Sequence, residues 1–233
     1  MVSFVIEHME EDDQTTRTFP PWVQLEYNHM RALAGPASSV HFTHVSPSAA
    51  ASLGPLLTPA RTITTITSTT TTTTTASSSP SSPPALAPAE VHTEGFQALL
   101  KSRGVPLEKV CLLDPKAPEP LRPGDGELFE WFLFGGILGD DPPRDRTSEL
   151  RALGFPGRHL GQVQMTTDTA LGVTKRVVVD KGTLPYVDFP TIRFNARESV
   201  EMPFRYLVQG GEPLMPPGMR ELLYEDLDKG FEF

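Results

Sequence analysis

The stretch FLFGGILGDDPPRDRTSEL, residues 132–150, differs most from ordinary core or surface composition in this chain. Its apolar run stops at Gly135 and Gly136, and a loop rich in Gly, Asp, Pro and Arg follows. Glycine adopts backbone conformations that are closed to other residues and lets a ligand approach the main chain closely. The stretch therefore predicts a central buried strand that ends in a ligand-binding loop.

Outward from this stretch, apolar segments alternate with segments of helical periodicity. The apolar segments are continuous rather than alternating, which is typical of strands buried on both faces. The pattern predicts an α/β fold, with a mostly parallel sheet and helices on both of its faces. We expect strands at residues 2–8, 39–45, 108–115, 127–136 and 184–190, and a strand or an extended segment at 159–165. We expect helices at 22–33, 92–104, 144–154, 166–182 and 217–231.

Three predicted strands end in unusual loops, at residues 112–115, 134–140 and 160–168. Ligands of parallel α/β sheets bind beyond the carboxyl ends of the strands, so neighbouring strands would bring these loops to one pocket. The glycines at 135, 136 and 139 follow the spacing GGxxG, which is neither the dinucleotide fingerprint GxGxxG nor a phosphate-binding P-loop. Thr166 or Thr167 is a candidate cap for the helix that follows the third loop.

Composition points to an acidic protein of a reducing compartment. The net charge is −9, which repels phosphate backbones and suits a basic partner. Cys111 is the single cysteine, so no disulfide forms within the chain, and we expect it to be a buried apolar residue. The start has no signal-peptide pattern and no apolar run is long enough to span a bilayer, so we expect a cytoplasmic protein.

The segment at about residues 49–90 has a composition of its own, mainly Thr, Ser, Pro and Ala. Such a segment buries too little apolar surface to offset the entropy lost on ordering. We therefore expect a single domain over residues 1–233 that is interrupted here by a disordered insertion. The histidines show no HExxH spacing and there is no CxxC, and His41 and His44 would face opposite sides of a strand, so no metal site is predicted.

Three long motifs carry a family resemblance: residues 132–150, HLGQVQMTTDTA at 159–170 and DFPTIRFNARESVEMPFRYLV at 188–208. They resemble SPOUT-superfamily methyltransferases, most closely the fungal protein-arginine methyltransferases of this group. VIEHME at 5–10 and VCLLDP at 110–115 match the same pattern, so the resemblance covers nearly all of the chain outside the insertion. The Thr-rich insertion and Asp141, where a histidine is expected, depart from the pattern.

The resemblance implies a trefoil knot and S-adenosylmethionine bound by the knot loops. It also implies an arginine of a small-subunit ribosomal protein as the substrate. The acidic charge balance, rather than the resemblance, speaks against nucleic acid as a partner. A monomer is slightly favoured over the dimer that many relatives form. The cofactor-binding residues that it implies are Leu113, Asp114, Pro115, Gly135, Gly136, Leu138, Gly139, Leu160, Gly161, Val163, Met165, Thr166 and Thr167.

A guanidinium must be held in line with the methyl group, and a carboxylate can do this through paired hydrogen bonds. The candidates are Asp168, which directly follows the third loop, and Asp140, Glu7 and Glu201. Alternatives stay open for three of them: Asp140 could cap a turn, Asp168 could belong to a helix first turn, and Glu7 could pair with an arginine. Arg144 and Arg146 could bind the methionine carboxylate or brace the acidic loop.

Two other functions compete with protein-arginine methylation. An RNA methyltransferase is the commonest activity of the superfamily, and a basic patch at Arg144, Arg146, Arg151 and Arg158 would favour it, although the acidic surface does not. The second alternative is a protein that binds the cofactor without catalysing a reaction, and the intact glycine loops argue against it.

Overall fold

The computed structural model describes residues 1–8, 20–57, 85–136 and 147–228. Its main sheet has six strands, and every pairing within it is parallel. In chain order the strands are β1 (Val2–Glu7), β2 (Ser38–Thr43), β3 (Ala89–Val91), β4 (Val110–Leu113), β5 (Trp131–Gly135) and β6 (Gly157–Arg158). Their order across the sheet is β3-β2-β1-β5-β4-β6, so the predicted central strand β5 lies in the interior of the sheet.

Helices cover both faces of this sheet, as the sequence predicts. The helices are α1 (Pro21–Ala34), α2 (Pro47–Leu57), α3 (Phe96–Arg103), α4 (Asp125–Leu128), α5 (Ser148–Ala152), α6 (Thr167–Val178) and α7 (Met219–Asp228). Side chains of a strand alternate between faces: Phe4 packs in one core with Tyr27 of α1, and Val5 packs in the other with Phe96 of α3. In the part of the chain that is described, no helix is long and apolar enough to cross a membrane.

Two small antiparallel sheets lie outside the main sheet. One contains β7 (Tyr186–Asp188), β10 (Arg205–Gln209) and β11 (Glu212–Pro213), and the other contains β8 (Thr191–Arg193) and β9 (Ser199–Glu201). The predicted strand at 184–190 is real but does not join the parallel sheet, since Pro185 and Pro190 bound it and Tyr186 is exposed. The segment at 159–165, for which the sequence predicts a strand or an extended segment, is not a regular strand: β6 ends at Arg158, and single bridges at His159 and Met165 follow.

The boundaries predicted for the disordered insertion are wrong at both ends. Helix α2 begins before residue 49, and Ala49 and Leu53 of this helix are buried in the core. On the other side, Ala87 is buried and its backbone exchanges two hydrogen bonds of 3.0 Å with the main chain and guanidinium of Arg31. The composition of the Thr- and Ser-rich centre was extended to these flanking apolar residues, although the i, i+4 spacing of Ala49 and Leu53 is typical of a helix. Residues 58–84 lie outside the described part of the chain.

The packing of α2 predicts that Leu53→Ala lowers the free energy of unfolding by about 2–4 kcal/mol, because it leaves a cavity in the core. Chemical denaturation measures this change. Leu107→Ala is the matched control: Leu107 is 52% exposed, and we expect a change of less than about 0.5 kcal/mol. Equal effects of the two substitutions would contradict the placement of α2 in the core.

Candidate functional site

The parallel sheet brings the carboxyl ends of its strands to a single edge. Glu7, Thr43, Leu113, Gly135 and Arg158 are the last residues of β1, β2, β4, β5 and β6, respectively. The three predicted loops leave the sheet from this edge, after β4, β5 and β6. Because β5, β4 and β6 are neighbours in the sheet, the loops that follow them start next to one another, as the prediction of a shared pocket requires.

A buried hydrogen bond ties the second loop to the third. Gly136 has φ 58°, a left-handed conformation that favours glycine, and its N–H donates to the Glu7 carbonyl at 2.8 Å. Its own carbonyl accepts the hydroxyl of Thr167, the first residue of α6, at 2.6 Å. The end of β5 is thus fixed to the start of α6. Leu138, Gly139 and Asp140 lie outside the described residues.

Asp114 holds the first loop through an internal brace. Its backbone N–H donates to the Arg158 carbonyl at 2.9 Å, and its carboxylate accepts the Thr147 hydroxyl, the Lys116 N–H and two nitrogens of Arg151. Burial raises the pKa of Asp114, but the hydrogen bonds from Arg151 and Lys116 more than offset it, and the pKa lies below its usual value. The side chain is committed to α5 and the N–H to Arg158, so only the carbonyl, which already accepts the Ala117 N–H at 3.0 Å, can offer a ligand a further lone pair.

The other residues of the first loop differ in exposure. Leu113 is buried at the end of β4, whereas Pro115 is exposed. Cys111, two residues earlier, is fully buried as predicted, and burial raises the pKa of its thiol to about 12. The thiol is therefore protonated at neutral pH and has no nucleophilic role.

The third loop contains a glycine whose backbone conformation favours glycine over other residues. Gly161 has φ 114°, and its N–H donates to Nδ1 of His159 at 3.1 Å. Leu160 and Val163 are half-buried, whereas Met165 and Thr166 are buried before α6. Thr166 holds the N-cap position but its side chain makes no cap hydrogen bond, and its hydroxyl donates to Thr169 at 2.8 Å.

Glu7 lies at the end of β1 next to the glycine loop and is held by neutral donors. Its Oε2 accepts the Thr43 hydroxyl at 2.5 Å and the Phe96 N–H at 2.9 Å. Its Oε1 lies 3.5 Å from Nδ1 of the exposed His44, so within the described residues its ionisable neighbour is a histidine rather than an arginine. One carboxylate oxygen is thereby anchored, and the other lies beside the exposed His44.

His44 itself has strained backbone. Its φ is 60°, in the left-handed region that a residue with a Cβ seldom adopts, and its N–H donates to the Glu94 carbonyl at 2.9 Å. Such conformations cost about 1–3 kcal/mol and cluster at functional sites. The strain beside Glu7 marks this part of the edge as a candidate site.

Asp168 is fully buried between α6 and α1. Its Oδ2 lies 2.6 Å from Nδ1 of His29, and its Oδ1 has no hydrogen-bond partner within the described residues. It belongs to the first turn of α6, one of the two interpretations left open by the sequence. Asp168 is fully buried, and its contact with His29 links α6 to α1.

Of the remaining predicted residues, the structure describes only Glu201. Glu201 is exposed on β9, in the separate hairpin. Asp140, Arg144 and Arg146 fall outside the described residues. The sequence interpretation missed Thr43 and His29, because a threonine at a strand end and a histidine on a helix carry no motif, and only the tertiary structure pairs them with Glu7 and Asp168.

The basic patch that would favour RNA contains two described arginines, and carboxylates of the same chain compensate the positive charge of both. Arg151 is bound to Asp114. Arg158 contacts Asp125 at 3.1 Å and Glu119 at 3.6 Å, so both guanidinium groups face carboxylates of the same chain. Such pairs leave little positive charge for a phosphate backbone.

Comparisons with known proteins agree with the geometry. A family model described as "Protein arginine N-methyltransferase SFM1-like" matches residues 3–230. Protein arginine N-methyltransferase SFM1 of Saccharomyces cerevisiae is 47% identical over 126 residues, which are 51% of this chain and 59% of that protein. The chain thus spans well under two thirds of this relative's length in the alignment.

Solved structures extend the similarity to the whole fold. The yeast arginine methyltransferase SFM1 complexed with SAM is 32% identical with a TM-score of 0.73, over 97% of this chain and 92% of that one. The same yeast enzyme complexed with SAH is 31% identical with a TM-score of 0.70, over 95% and 94%. The family resemblance predicted from the sequence and the α/β fold class are therefore confirmed.

The brace at Asp114 predicts a pH-dependent loss of stability in Asp114→Asn. The pKa of Asp114 is depressed in the folded protein, whereas it is about 3.9 in an unfolded chain, so its stabilisation is present above that pH and disappears as the pH falls through the folded value. At pH 7 we expect a loss of about 1–3 kcal/mol, since Arg151 is partly exposed. Urea denaturation at pH 7 and at pH 3 measures the difference, which should shrink at the lower pH.

Asp180→Asn is the control for this experiment. Asp180 pairs with Lys175 at 2.7 Å on the surface, and we expect a change within about 0.5 kcal/mol at both pH values. If Asp114→Asn were as mild as Asp180→Asn, the brace would contribute nothing to the fold.

Proposed function

Because the chain belongs to the SFM1-like family of protein arginine N-methyltransferases, we propose that it transfers a methyl group from S-adenosylmethionine to an arginine of a basic protein. A small-subunit ribosomal protein is the substrate that we propose. The observation that carries the proposal is the meeting of the three strand-end loops at one edge, in a fold shared over 97% of the chain with a methyltransferase complexed with SAM.

The residues of these loops fit the cofactor. Leu113, Leu160 and Val163 offer apolar surface for the faces of an adenine, and the left-handed glycines 136 and 161 let main-chain groups approach closely. The proposed site also includes Asp114, Pro115, Gly135, Met165, Thr166 and Thr167, with Leu138 and Gly139 from outside the described residues. When bound, S-adenosylmethionine supplies an activated methyl group on a sulfonium.

Glu7 is the carboxylate that we propose to orient the substrate. A guanidinium is a weak nucleophile, so the protein must hold one of its nitrogens in line with the methyl group. Oε2 of Glu7 is fixed by Thr43 and by the Phe96 N–H, which leaves Oε1 to accept a guanidinium N–H. The transfer forms an N–CH₃ bond, breaks the S–CH₃ bond and releases one guanidinium proton.

Asp168 is a positioning residue in this proposal. Its contact with His29 fixes the start of α6 against α1, one residue after the Thr167 hydroxyl that binds Gly136. A buried pair of this kind orients an element even where it adds little net stability. Asp140 and Glu201 stay candidates for substrate contacts from the loop and from the hairpin.

The same proposal includes the trefoil knot that the family resemblance implies. Strand β4 lies between β5 and β6 in the sheet, although β5 and β6 both follow it in the chain. The segment after β6 then returns to the end of β5 through the Thr167–Gly136 hydrogen bond. These contacts support a chain path in which the third loop passes beside the second.

The charges support a protein rather than a nucleic acid as the partner. The chain carries a net charge of −9, and the described arginines of the basic patch are paired with carboxylates of the same chain. An acidic surface attracts a lysine- and arginine-rich protein. The single cysteine is buried and free, which supports the cytoplasm as the compartment.

We also propose that the protein acts as a monomer. Helix α7 packs against α1, and Gly218 before α7 approaches Leu25 so closely that a Cβ there would lie 3.3 Å from it. The C-terminal helix thus covers part of α1, and a surface already covered within the chain is closed to a second copy. Light scattering behind a sizing column measures the mass.

The activity is tested with methyl-labelled S-adenosylmethionine and either small-subunit ribosomal proteins or ribosomal RNA. We expect label in protein alone, on arginine after hydrolysis. Label in RNA alone would contradict the proposed substrate class. Label in neither, while S-adenosylhomocysteine still raises the melting temperature, would show a cofactor-binding protein without this activity.

The role of Glu7 predicts that Glu7→Gln lowers kcat/KM for the protein substrate by about 100-fold or more, because the guanidinium loses the group that aligns it. The amide oxygen of glutamine can still accept the Phe96 N–H, so the fold and the affinity for S-adenosylhomocysteine should persist. Steady-state kinetics and calorimetry measure the two quantities.

Glu94→Gln is the matched control, since Glu94 is exposed and its backbone lies beside His44. It should keep the activity within about twofold. Full activity of Glu7→Gln would remove Glu7 from the site, and a large loss in Glu201→Gln instead would transfer the role to the hairpin.

A further inference from the structure

A cluster of nitrogen and oxygen ligands lies on the α3 face of the sheet edge, outside the proposed methyltransferase site. It consists of His41 on β2, Glu90 on β3 and His92, which directly follows β3. His41 and Glu90 are partners in the parallel pairing of β2 with β3, and the His92 N–H donates to the Phe42 carbonyl at 2.8 Å. The backbone of the two strands therefore sets the spacing of all three side chains.

The ligand atoms form a nearly equilateral triangle. Nδ1 of His41 lies 3.5 Å from Nε2 of His92 and 3.7 Å from Oε2 of Glu90, and the last two atoms are 3.4 Å apart. In a tetrahedral zinc site with bonds of about 2.0–2.1 Å, neighbouring ligand atoms are separated by about 3.4 Å. The triangle thus matches one face of a zinc tetrahedron, with the fourth position left for water.

Other contacts orient His41 for this purpose. Its Nε2 lies 3.1 Å from the Ser39 hydroxyl, which donates its own proton to Ser3 at 3.0 Å. The Ser39 oxygen is therefore an acceptor for a proton on Nε2, and Nδ1 keeps its lone pair facing Glu90 and His92. A metal-binding histidine characteristically donates its second N–H to such a partner.

The imidazole of His41 is also fixed in place. Its ring packs against Trp131 with centroids 5.0 Å apart. Burial lowers the pKa of His41 to about 4, so the ring is neutral at pH 7. The cluster joins a rigid buried histidine with a half-buried histidine and an exposed glutamate, which gives an ion an open path from solvent.

We propose that His41, Glu90 and His92 bind a zinc ion. Two imidazoles and a carboxylate are a ligand set that zinc accepts, with a fourth position for water. Arg103 of α3 contacts Oε2 of Glu90 at 2.5 Å, so the guanidinium shares the oxygen that the ion needs. Zinc binding moves Arg103 to the other carboxylate oxygen, where it still pairs with Glu90.

The site has a structural consequence. Strand β3 is a three-residue strand at the edge of the sheet, and it is the first strand after residues 58–84. An ion held by His41 and by two residues at β3 ties this short edge strand to β2. Zinc thus stabilises the point at which the chain re-enters the sheet.

Calorimetry and thermal unfolding of the untagged, chelator-treated full chain test the proposal with zinc chloride. We expect one ion per chain, a Kd in the micromolar range or below, and a rise of about 5–10 °C in the melting temperature at large excess. Cobalt(II) should give the intense visible absorption of tetrahedral coordination. The absence of saturable 1:1 binding, or the weak spectrum of octahedral cobalt, would overturn the proposal.

Variants separate this site from adventitious binding. His92→Ala and Glu90→Gln alter partly exposed side chains and should weaken zinc binding by at least about 100-fold, since even outer-shell partners are worth 10–100-fold. Arg103→Gln should tighten binding, because it removes the competing cation, and the control Glu94→Gln should leave it unchanged. Unaltered binding in His92→Ala and Glu90→Gln, or weaker binding in Arg103→Gln, would contradict the assigned ligands.

Discussion

The hydrogen bond from the Thr167 hydroxyl to the Gly136 carbonyl is the contact on which the candidate site depends. Both groups are buried, so among the described residues the carbonyl would lack a partner without it, at a cost of about 1–3 kcal/mol. The bond joins the end of β5 to the start of α6, and Gly136 in turn binds the end of β1 through the Glu7 carbonyl. Three elements that are distant in the chain are thereby fixed at the edge where a cofactor and a substrate arginine would meet.

The buried carboxylates of Asp114, Asp168 and Glu7 bind different partners, and we assign them different roles on this basis. Asp114 is bound to Arg151 and Asp168 to His29, so both are occupied by charged or ionisable groups of the same chain. Glu7 is anchored through one oxygen by neutral donors, and its other oxygen lies 3.5 Å from the exposed His44. A carboxylate of this kind is suited to an incoming cation, and this contrast is why Glu7 rather than Asp168 is proposed to orient the substrate.

The sequence predicts the parts of the structure that local pattern determines. The long apolar runs give the interior strands, and Pro20, Pro21 and Gly35 bracket α1 because proline suits a helix start and glycine its end. The composition assigned most of α2 to the disordered insertion, because a threonine- and serine-rich stretch follows this helix closely. Proximity in sequence to the third loop also suggested Asp168 as an orienting carboxylate, whereas its contact with His29 of a distant helix has no signal in the sequence. The zinc ligands carry no spacing motif, because strand register rather than sequence separation brings them together.

Replacement of Thr167 by valine, which keeps the shape and removes the hydroxyl, tests the central contact most directly. Isothermal titration with S-adenosylhomocysteine should show an affinity about 5–10-fold lower in Thr167→Val, because about 1 kcal/mol of loop organisation is lost. Thr167→Ser keeps the hydroxyl and should bind within about twofold of the unaltered protein. If Thr167→Val bound S-adenosylhomocysteine as tightly as Thr167→Ser does, the Thr167–Gly136 contact would not be what organises the site.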